Sequence, residues 1–156
     1  MISRRTFMGQ AAGLGLALAG GKSLWALPEP GGETGMTIYM SPTCGCCAKW
    51  VDHVKAAGFK TVVHEDEDME SVKDNLGVPK DLRSCHTAQV DKYLIEGHVP
   101  AEDISAFLAR KPKAAGLAAP GMPASSPGMA VPGQPHEPYD ILIFQRDGKS
   151  EVFARR

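Results

Sequence analysis

Three of the four cysteines of the chain lie within four positions, at Cys44, Cys46 and Cys47. A cysteine thiolate attacks disulfides and binds soft metal ions, so clustered cysteines indicate either redox chemistry or a metal site. The Cys44–Cys47 spacing is the C-x-x-C of thiol–disulfide redox motifs. Cys46 occupies an inner position at which a pure oxidoreductase needs no sulfur. The third cysteine therefore favours metal binding.

The three cysteines lie between a predicted strand and a predicted helix. The apolar run Thr37–Met40 precedes them, and a stripe with helical spacing follows and ends before Gly58. The stripe consists of Cys47, Trp50, Val51, Val54 and Ala57. A cysteine at a helix start lies beside unpaired backbone N–H groups and the positive end of the helix dipole, and both stabilise its thiolate. The spacing puts Cys47 on the buried face of this helix and Cys46 on the polar face.

The fourth cysteine, Cys85, begins the first of two strand-like runs, 85–90 and 93–96. A short turn at Asp91-Lys92 predicts that these runs form a hairpin. This placement would bring Cys85 to the sheet edge that carries the cysteine turn. The alternative is that Cys85 packs in the core as a small hydrophobic residue. We expect His86 on the opposite face of a regular strand, because successive side chains alternate.

The remaining pattern predicts a single α/β domain. The predicted elements are a second strand at Phe59–His64 parallel to the first, a short helix with Met69, Val72 and Leu76 on one face, a helix from Pro100 to Arg110, and a C-terminal hairpin of Tyr139–Phe144 with Ser150–Phe153. Residues 113–138 are rich in Pro, Gly, Ala and Ser, and they carry neither a helix period nor a strand period. They predict a long loop.

The N-terminus matches a twin-arginine export signal. Ser3-Arg4-Arg5-Thr6-Phe7-Met8 precedes the small, apolar run Gly9–Gly21, and Leu24-Trp25-Ala26 offers a cleavage site. The run is too short and too rich in Gly and Ala for a comfortable membrane span, although an uncleaved anchor is the alternative, because Leu24 is not small. The predicted organisation is a signal peptide at 1–26, a flexible lead-in at 27–36 and one domain at 37–156.

The charge of the chain argues against a nucleic acid as partner. The 156 residues carry a formal net charge of −1, and cleavage after Ala26 would remove three cationic side chains and no acid, which leaves −4. A protein of that charge has little attraction for phosphate backbones. The remaining chain is long enough for one core. Contact with a membrane is expected only through the export signal.

Four stretches of the sequence together carry a specific resemblance to a known family. They are Ser41-Pro42-Thr43-Cys44-Gly45-Cys46-Cys47-Ala48-Lys49-Trp50, Ser84-Cys85-His86-Thr87-Ala88, Glu96-Gly97-His98-Val99-Pro100-Ala101 and Gly121-Met122-Pro123. With them the chain resembles, from residue 37 to about residue 153, the exported metal-binding family that includes the copper-resistance protein CopG. The resemblance implies a periplasmic, thioredoxin-like, three-layer domain with a mixed sheet flanked by helices. In such folds a proline at the position of Pro79 is often cis.

The resemblance also implies a ligand set and a function. Cys44, Cys46, Cys47 and Cys85 would hold Cu(I), in a multinuclear cluster, for copper resistance or homeostasis. The partners would be copper ions and other periplasmic copper-handling proteins. The family's suspected interconversion of the two copper oxidation states would come with it.

The residues themselves leave other chemistry open. Thiolates also suit zinc and iron–sulfur centres. Adjacent Cys46 and Cys47 fit poorly with the C-x₂₋₄-C pairs of zinc sites, whereas sulfurs that bridge two ions favour a small copper cluster. A thiol–disulfide oxidoreductase is the alternative function. In it Cys44 would be the catalytic nucleophile and Cys47 the resolving cysteine.

Two methionines and a histidine are further candidates for the ligand set. Met122 and Met129 carry thioether sulfurs suited to Cu(I), in a loop with no obvious core role, and filling of core gaps is their alternative. His86 is a further candidate ligand. A hydrogen-bonding role and a metal role fit His98 equally well. Solvent exposure is expected for His53 and His64.

Overall fold

The computed structural model describes residues 34–156, which form an α/β domain around one seven-stranded mixed sheet. The strands are β1 (Gly35–Met40), β2 (Lys60–Glu65), β3 (His86–Val90), β4 (Tyr93–Gly97), β5 (Gly116–Ala119), β6 (Asp140–Phe144) and β7 (Ser150–Arg155). The helices are α1 (Gly45–Ala56), α2 (Met69–Leu76) and α3 (Ala101–Arg110), with a 3₁₀ turn at Lys80–Leu82.

The strand order across the sheet is β2-β1-β3-β4-β5-β6-β7. The pairs β1–β2 and β4–β5 are parallel, and the other four are antiparallel. Each parallel pair needs a crossover, which α1 supplies for the first pair and α3 for the second. Both helices therefore begin at the same end of the strands, α1 just after β1 and α3 just after β4.

Apolar side chains pack on both faces of the sheet. On one face, Trp50 and Val54 of α1 and Ile104 and Phe107 of α3 share a core with Ile38 and other strand residues. On the other face, a smaller cluster joins strand residues to the segment that follows α2, and its buried members are Val78, Leu82, Leu94, Ala115, Ala118 and Phe144. The sheet thus lies between two layers, as the predicted mixed sheet with flanking helices requires.

The predicted loop 113–138 contains a strand and is wrong in that respect. All four residues of β5 are buried, and the strand pairs with both β4 and β6. A Cβ on Gly116 would lie 1.8 Å from the Leu94 carbonyl oxygen, so only glycine allows this approach. The run Gly-Leu-Ala-Ala has no β-branched residue. It also shows no alternation of apolar and polar residues, because both faces of the strand are buried, so its sequence carries no strand signal.

Three smaller differences concern boundaries and conformations. The first strand begins at Gly35, inside the predicted lead-in of 27–36. In α2 the buried residue is Lys73, whereas the predicted apolar stripe, Met69, Val72 and Leu76, is half-buried. The described residues contain no cis peptide bond, so Pro79 is trans.

The predictions for the N-terminus fall on residues outside the described part of the chain. These are the export signal, its cleavage site and most of the lead-in. Among residues 34–156, no helix combines the length and the apolarity that crossing a bilayer demands.

Candidate metal centre

The cysteine turn forms the start of α1. The Cys44 N–H donates to the Ser41 carbonyl at 3.1 Å, and the helix begins at the next residue. Cys47, in the first turn, is fully buried against the core, whereas Cys44 and Cys46 are half-buried. Cys44 and Cys47 are joined by a disulfide. The structure thus describes the oxidised form of this C-x-x-C pair.

Cys46 and Cys85 are free thiols. The Cys46 sulfur lies 3.5 Å from the Cys44 sulfur. Because the disulfide leaves Cys44 without a thiol proton, Cys46 is the donor in this contact. The free thiol of Cys46 therefore lies directly beside the Cys44–Cys47 disulfide.

Cys85 reaches the same place from the sheet. It directly precedes β3, whose first residue, His86, pairs with Met40 at the end of β1. This register aligns the start of β3 with the point where the chain leaves β1 for the cysteine turn. The sulfurs of Cys44, Cys46, Cys47 and Cys85 all lie within 4.8 Å of one another. The structure therefore brings together the four cysteines that the sequence singled out.

Two histidines adjoin Cys85 and form a second group with it. The Cys85 sulfur lies 3.3 Å from Nδ1 of His86 and 3.0 Å from Nε2 of His98. The three ligand atoms lie within 4.8 Å of one another. The expectation that His86 faces away from Cys85 is wrong, because Cys85 lies before the first strand residue and does not follow the alternation. Cys85 belongs to both groups.

His98 is fixed by the long loop after β5. Its Nδ1 lies 2.8 Å from the Pro127 carbonyl oxygen. A carbonyl oxygen only accepts, so Nδ1 carries the proton of the neutral ring and Nε2 presents its lone pair to Cys85. A histidine held in this way is prepared for a metal on the other nitrogen.

The loop also covers the cysteine turn. Gly128 has φ +85°, and a Cβ there would lie 2.8 Å from the Cys46 carbonyl oxygen and 2.9 Å from the backbone nitrogen of Trp50. Trp50 donates from Nε1 to the Val99 carbonyl at 2.9 Å, and its ring packs against His86 at 4.3 Å between centroids. The site is thus enclosed by α1, the β4–α3 connection and the loop.

Comparison with known proteins places this geometry in a family. Two solved structures, described as copper resistance protein CopG in form 1 and form 2, are each 39% identical to the chain. Each match covers 80% of this chain and 98% of the other, with a TM-score of 0.73. The chain belongs to the CopG copper-resistance family. The resemblance seen in the sequence is confirmed.

A second comparison concerns the later half of the site. The family model described as a protein of unknown function, DUF411, matches residues 82–129. That segment contains Cys85, His86, His98 and Gly128. No curated protein matches the chain. As a member of the CopG family, the protein is a copper-resistance homologue whose cysteine cluster could hold a metal ion.

The charge states of the second group follow from its burial. Burial, together with the neighbouring Cys46, raises the pKa of the Cys85 thiol to about 12. Burial, with the nearby His98 and Lys73, holds the pKa of His86 well below its ordinary value, and burial also lowers the pKa of His98. Without metal the group is therefore neutral at pH 7. A metal must displace the thiol proton but finds both rings in the form that binds it.

The methionine candidates lie in the same loop. Met129 directly follows Gly128 and lines a hollow with His136 and Glu137. Met122 is 43% exposed. Their role as ligands stays a prediction, as does that of the four cysteines.

Two other histidines behave differently from each other. Nε2 of His53 accepts the Ala101 N–H at 3.0 Å, at the start of α3, so the expected solvation of His53 is wrong. His64 is exposed and stacks on Tyr39.

His98 is the residue of the candidate site that sequence reasoning left undecided. The available signal was its position in the sequence, between the second strand of the predicted hairpin, 93–96, and the helix predicted from Pro100. The first strand of that hairpin begins with Cys85.

Proposed function

We propose that the protein is a periplasmic copper-binding protein of thioredoxin-like fold that holds Cu(I) for copper resistance or homeostasis. The observation that carries this proposal is the mutual approach of the four cysteine sulfurs, within 4.8 Å. Once the Cys44–Cys47 disulfide is reduced, thiolates at such distances suit a soft monovalent ion such as Cu(I). Copper is the metal named in the description of the two similar structures.

Adjacent Cys46 and Cys47 support a multinuclear cluster. Neighbouring residues on one helix turn are poorly placed to bind a single tetrahedral ion together. Sulfurs that bridge separate ions avoid this constraint. His86 and His98 would then complete the coordination beside Cys85. Met129, which directly follows Gly128 in the loop, is the candidate thioether donor.

Copper binding and thiol oxidation would be coupled through Cys44 and Cys47. Two thiols can pass two electrons to two Cu(II) ions, which gives one disulfide, two Cu(I) ions and two protons. The Cys44–Cys47 disulfide seen in the structure would be the protein product of this step. It removes two thiolate ligands, so oxidation would also release bound Cu(I).

Metal analysis of the anaerobically reduced protein tests the copper proposal. The protein is loaded with Cu(I), challenged with a soft Cu(I) chelator and assayed for copper, for its oxidation state and for free thiols. We expect more than one Cu(I) retained per chain. Retention of less than one Cu(I) per chain rules the proposal out.

Export by the twin-arginine route is a separate part of the proposal. Arg4 and Arg5 are the residues on which it depends. Replacing both with lysine should leave the protein in the cytoplasmic fraction. Unchanged periplasmic delivery of the double variant contradicts this route without touching the copper proposal.

The second candidate function is a thiol–disulfide oxidoreductase. It is favoured by the disulfide at the N-terminus of α1, where the helix dipole stabilises a thiolate leaving group. Cys46→Ser separates the two functions. Disulfide reductase turnover should survive this substitution, whereas copper capacity should fall.

A further inference from the structure

A buried ion pair lies beneath the Cys85 segment, on the opposite side of the sheet from α1. Lys73 of α2 donates from Nζ to Oε1 of Glu96 at 2.7 Å and to Oγ1 of Thr87 at 2.8 Å. The Thr87 hydroxyl in turn donates to Oε2 of Glu96 at 2.6 Å. Each of the three residues is at most 1% exposed. The network is fully shielded from solvent.

The Glu96 carboxylate also holds the backbone next to Cys85. Its Oε1 accepts the Ser84 N–H at 2.7 Å, in addition to the Lys73 bond. Its other oxygen accepts from Thr87. Ser84 and Thr87 are the residues on either side of Cys85-His86. One carboxylate therefore fastens both ends of the segment that supplies two candidate ligands.

The neighbouring residue of β4 reinforces this contact. Gly97 has φ +70°, and a Cβ there would lie 2.6 Å from the Ser84 side chain and 2.8 Å from the Ala119 carbonyl oxygen. The Ser84 side chain therefore lies in close contact with the backbone of β4 at Gly97. Glu96 and Gly97 together fix where the chain enters β3.

Stability alone does not account for the ion pair. Desolvating a carboxylate and an ammonium group costs about as much as their attraction returns, and apolar residues of similar volume often stabilise a fold equally well. What an apolar pair lacks is an acceptor for the Ser84 N–H. We propose that Glu96, held in place by Lys73, is a positioning residue that fixes Cys85 and His86 for copper binding. The inference rests on the proposed copper function.

Two matched double variants test the role of the acceptor. Lys73→Met with Glu96→Leu removes both charges and the acceptor, whereas Lys73→Met with Glu96→Gln removes the charges but keeps an acceptor for the Ser84 N–H. Changes to residues that orient metal ligands typically weaken binding by about 10- to 100-fold. We expect at least about tenfold weaker Cu(I) affinity for the leucine variant, and recovery of most of this loss in the glutamine variant. Equal Cu(I) affinity in the two variants overturns the proposal.

A second readout does not depend on copper. With Cys46→Ser as background and the Cys44–Cys47 disulfide intact, Cys85 is the one remaining thiol, and its alkylation rate by iodoacetamide reports how firmly it is held. The leucine variant should react faster than the glutamine variant while both show a cooperative thermal transition. If the leucine variant does not fold, Thr87→Val replaces it, and unchanged alkylation and Cu(I) affinity in Thr87→Val then overturn the inference.

Failure of the copper function would be seen separately. A wild-type protein that retains no Cu(I), or a Cys85→Ser variant that binds it normally, contradicts the proposed function. The alkylation comparison would still decide whether Glu96 positions Cys85.

Discussion

The two halves of the site are built in different ways. The helix half, defined here as Cys44, Cys46 and Cys47, comes from one turn of chain, and its sulfurs are close because they are neighbours in sequence. The sheet half, defined as Cys85, His86 and His98, comes from two strand ends and is held by a loop carbonyl some thirty residues away in the chain.

The chemistry of the two halves differs accordingly. The helix half offers sulfur alone and contains the disulfide. The sheet half mixes one sulfur with two imidazoles, and burial keeps all three groups neutral. A local motif thus supplies sulfurs close enough to form a disulfide, and tertiary structure supplies a buried set of nitrogen donors. Cys85 is the residue that joins the halves.

The largest effect should come from Cys85→Ser, which removes the candidate ligand that both groups share. Its loss should exceed the roughly 10- to 100-fold effect of disturbing a residue that only orients a ligand, so we expect Cu(I) affinity to fall by more than about 100-fold. Chelator competition on the anaerobic protein measures this. The matched control is Cys46→Ser, which removes a sulfur of the helix half but leaves all three side chains of the sheet half, and it should retain more affinity. A larger loss for Cys46→Ser would break the assignment of Cys85 as the link.

The next effect concerns Gly128, which contacts both halves. A Cβ at this position would meet the Cys46 carbonyl and the Trp50 nitrogen at under 3.0 Å and Nδ1 of His98 at 3.3 Å. Gly128→Ala should lower the free energy of unfolding by more than the cost of about 1–3 kcal/mol that is usual for one strained backbone position, because the added Cβ also clashes, and it should also weaken copper binding. Denaturant unfolding gives the stability change.

Gly133 provides the control for Gly128. It also has φ +85°, but nothing lies within 4 Å of its would-be Cβ. Gly133→Ala therefore carries the conformational cost without the steric one. Equal destabilisation of the two variants would show that the contact between loop and helix contributes nothing.

A smaller effect is expected for His98→Gln. Glutamine can keep a hydrogen bond to the Pro127 carbonyl but cannot present an aromatic nitrogen to Cys85. We expect about tenfold weaker Cu(I) binding with little change in melting temperature. The exposed His64→Gln is the control and should bind as the wild type does. If the two variants are indistinguishable, the sheet half acts through Cys85 alone.

The smallest effect is a change in proton count. The pKa of Cys85 is raised to about 12, so at pH 7 this thiol is protonated and copper binding must expel its proton. Apparent Cu(I) affinity should therefore rise with pH, and Cys85→Ser should release one proton fewer per chain on loading. Titration in weakly buffered solution measures the difference. An unchanged proton count would mean that the Cys85 thiolate is not a ligand.

The sequence predicts the helix half because its information is local. The C-x-C-C run, the apolar stripe that follows it and Gly58 suffice to place three sulfurs at a helix start. The pairing of β1 with β2 follows from the same reasoning, since a strand, a helix and a strand in succession favour a parallel crossover.

The sheet half depends on information that is not local. Whether His86 turns toward Cys85 depends on which residue begins β3, and a shift of one residue reverses every side chain. The strand β5 has no periodic signal, because both of its faces are buried. The ion pair of Lys73 and Glu96 joins residues 23 positions apart, and charged residues in a sequence are ordinarily read as exposed.

The loop after β5 divides into two parts with different tolerance for change in length. Its first part ends on Pro127 and Gly128, which touch His98 and the helix backbone and so have a fixed spacing from β5. Residues 130–138 that follow are exposed throughout. Affinity tags, fluorescent labels or inserted peptides should therefore be accepted between Val131 and Pro135, so a reporter can be attached at residues that line the Met129–His136 hollow and lie outside the part of the loop that contacts His98 and α1.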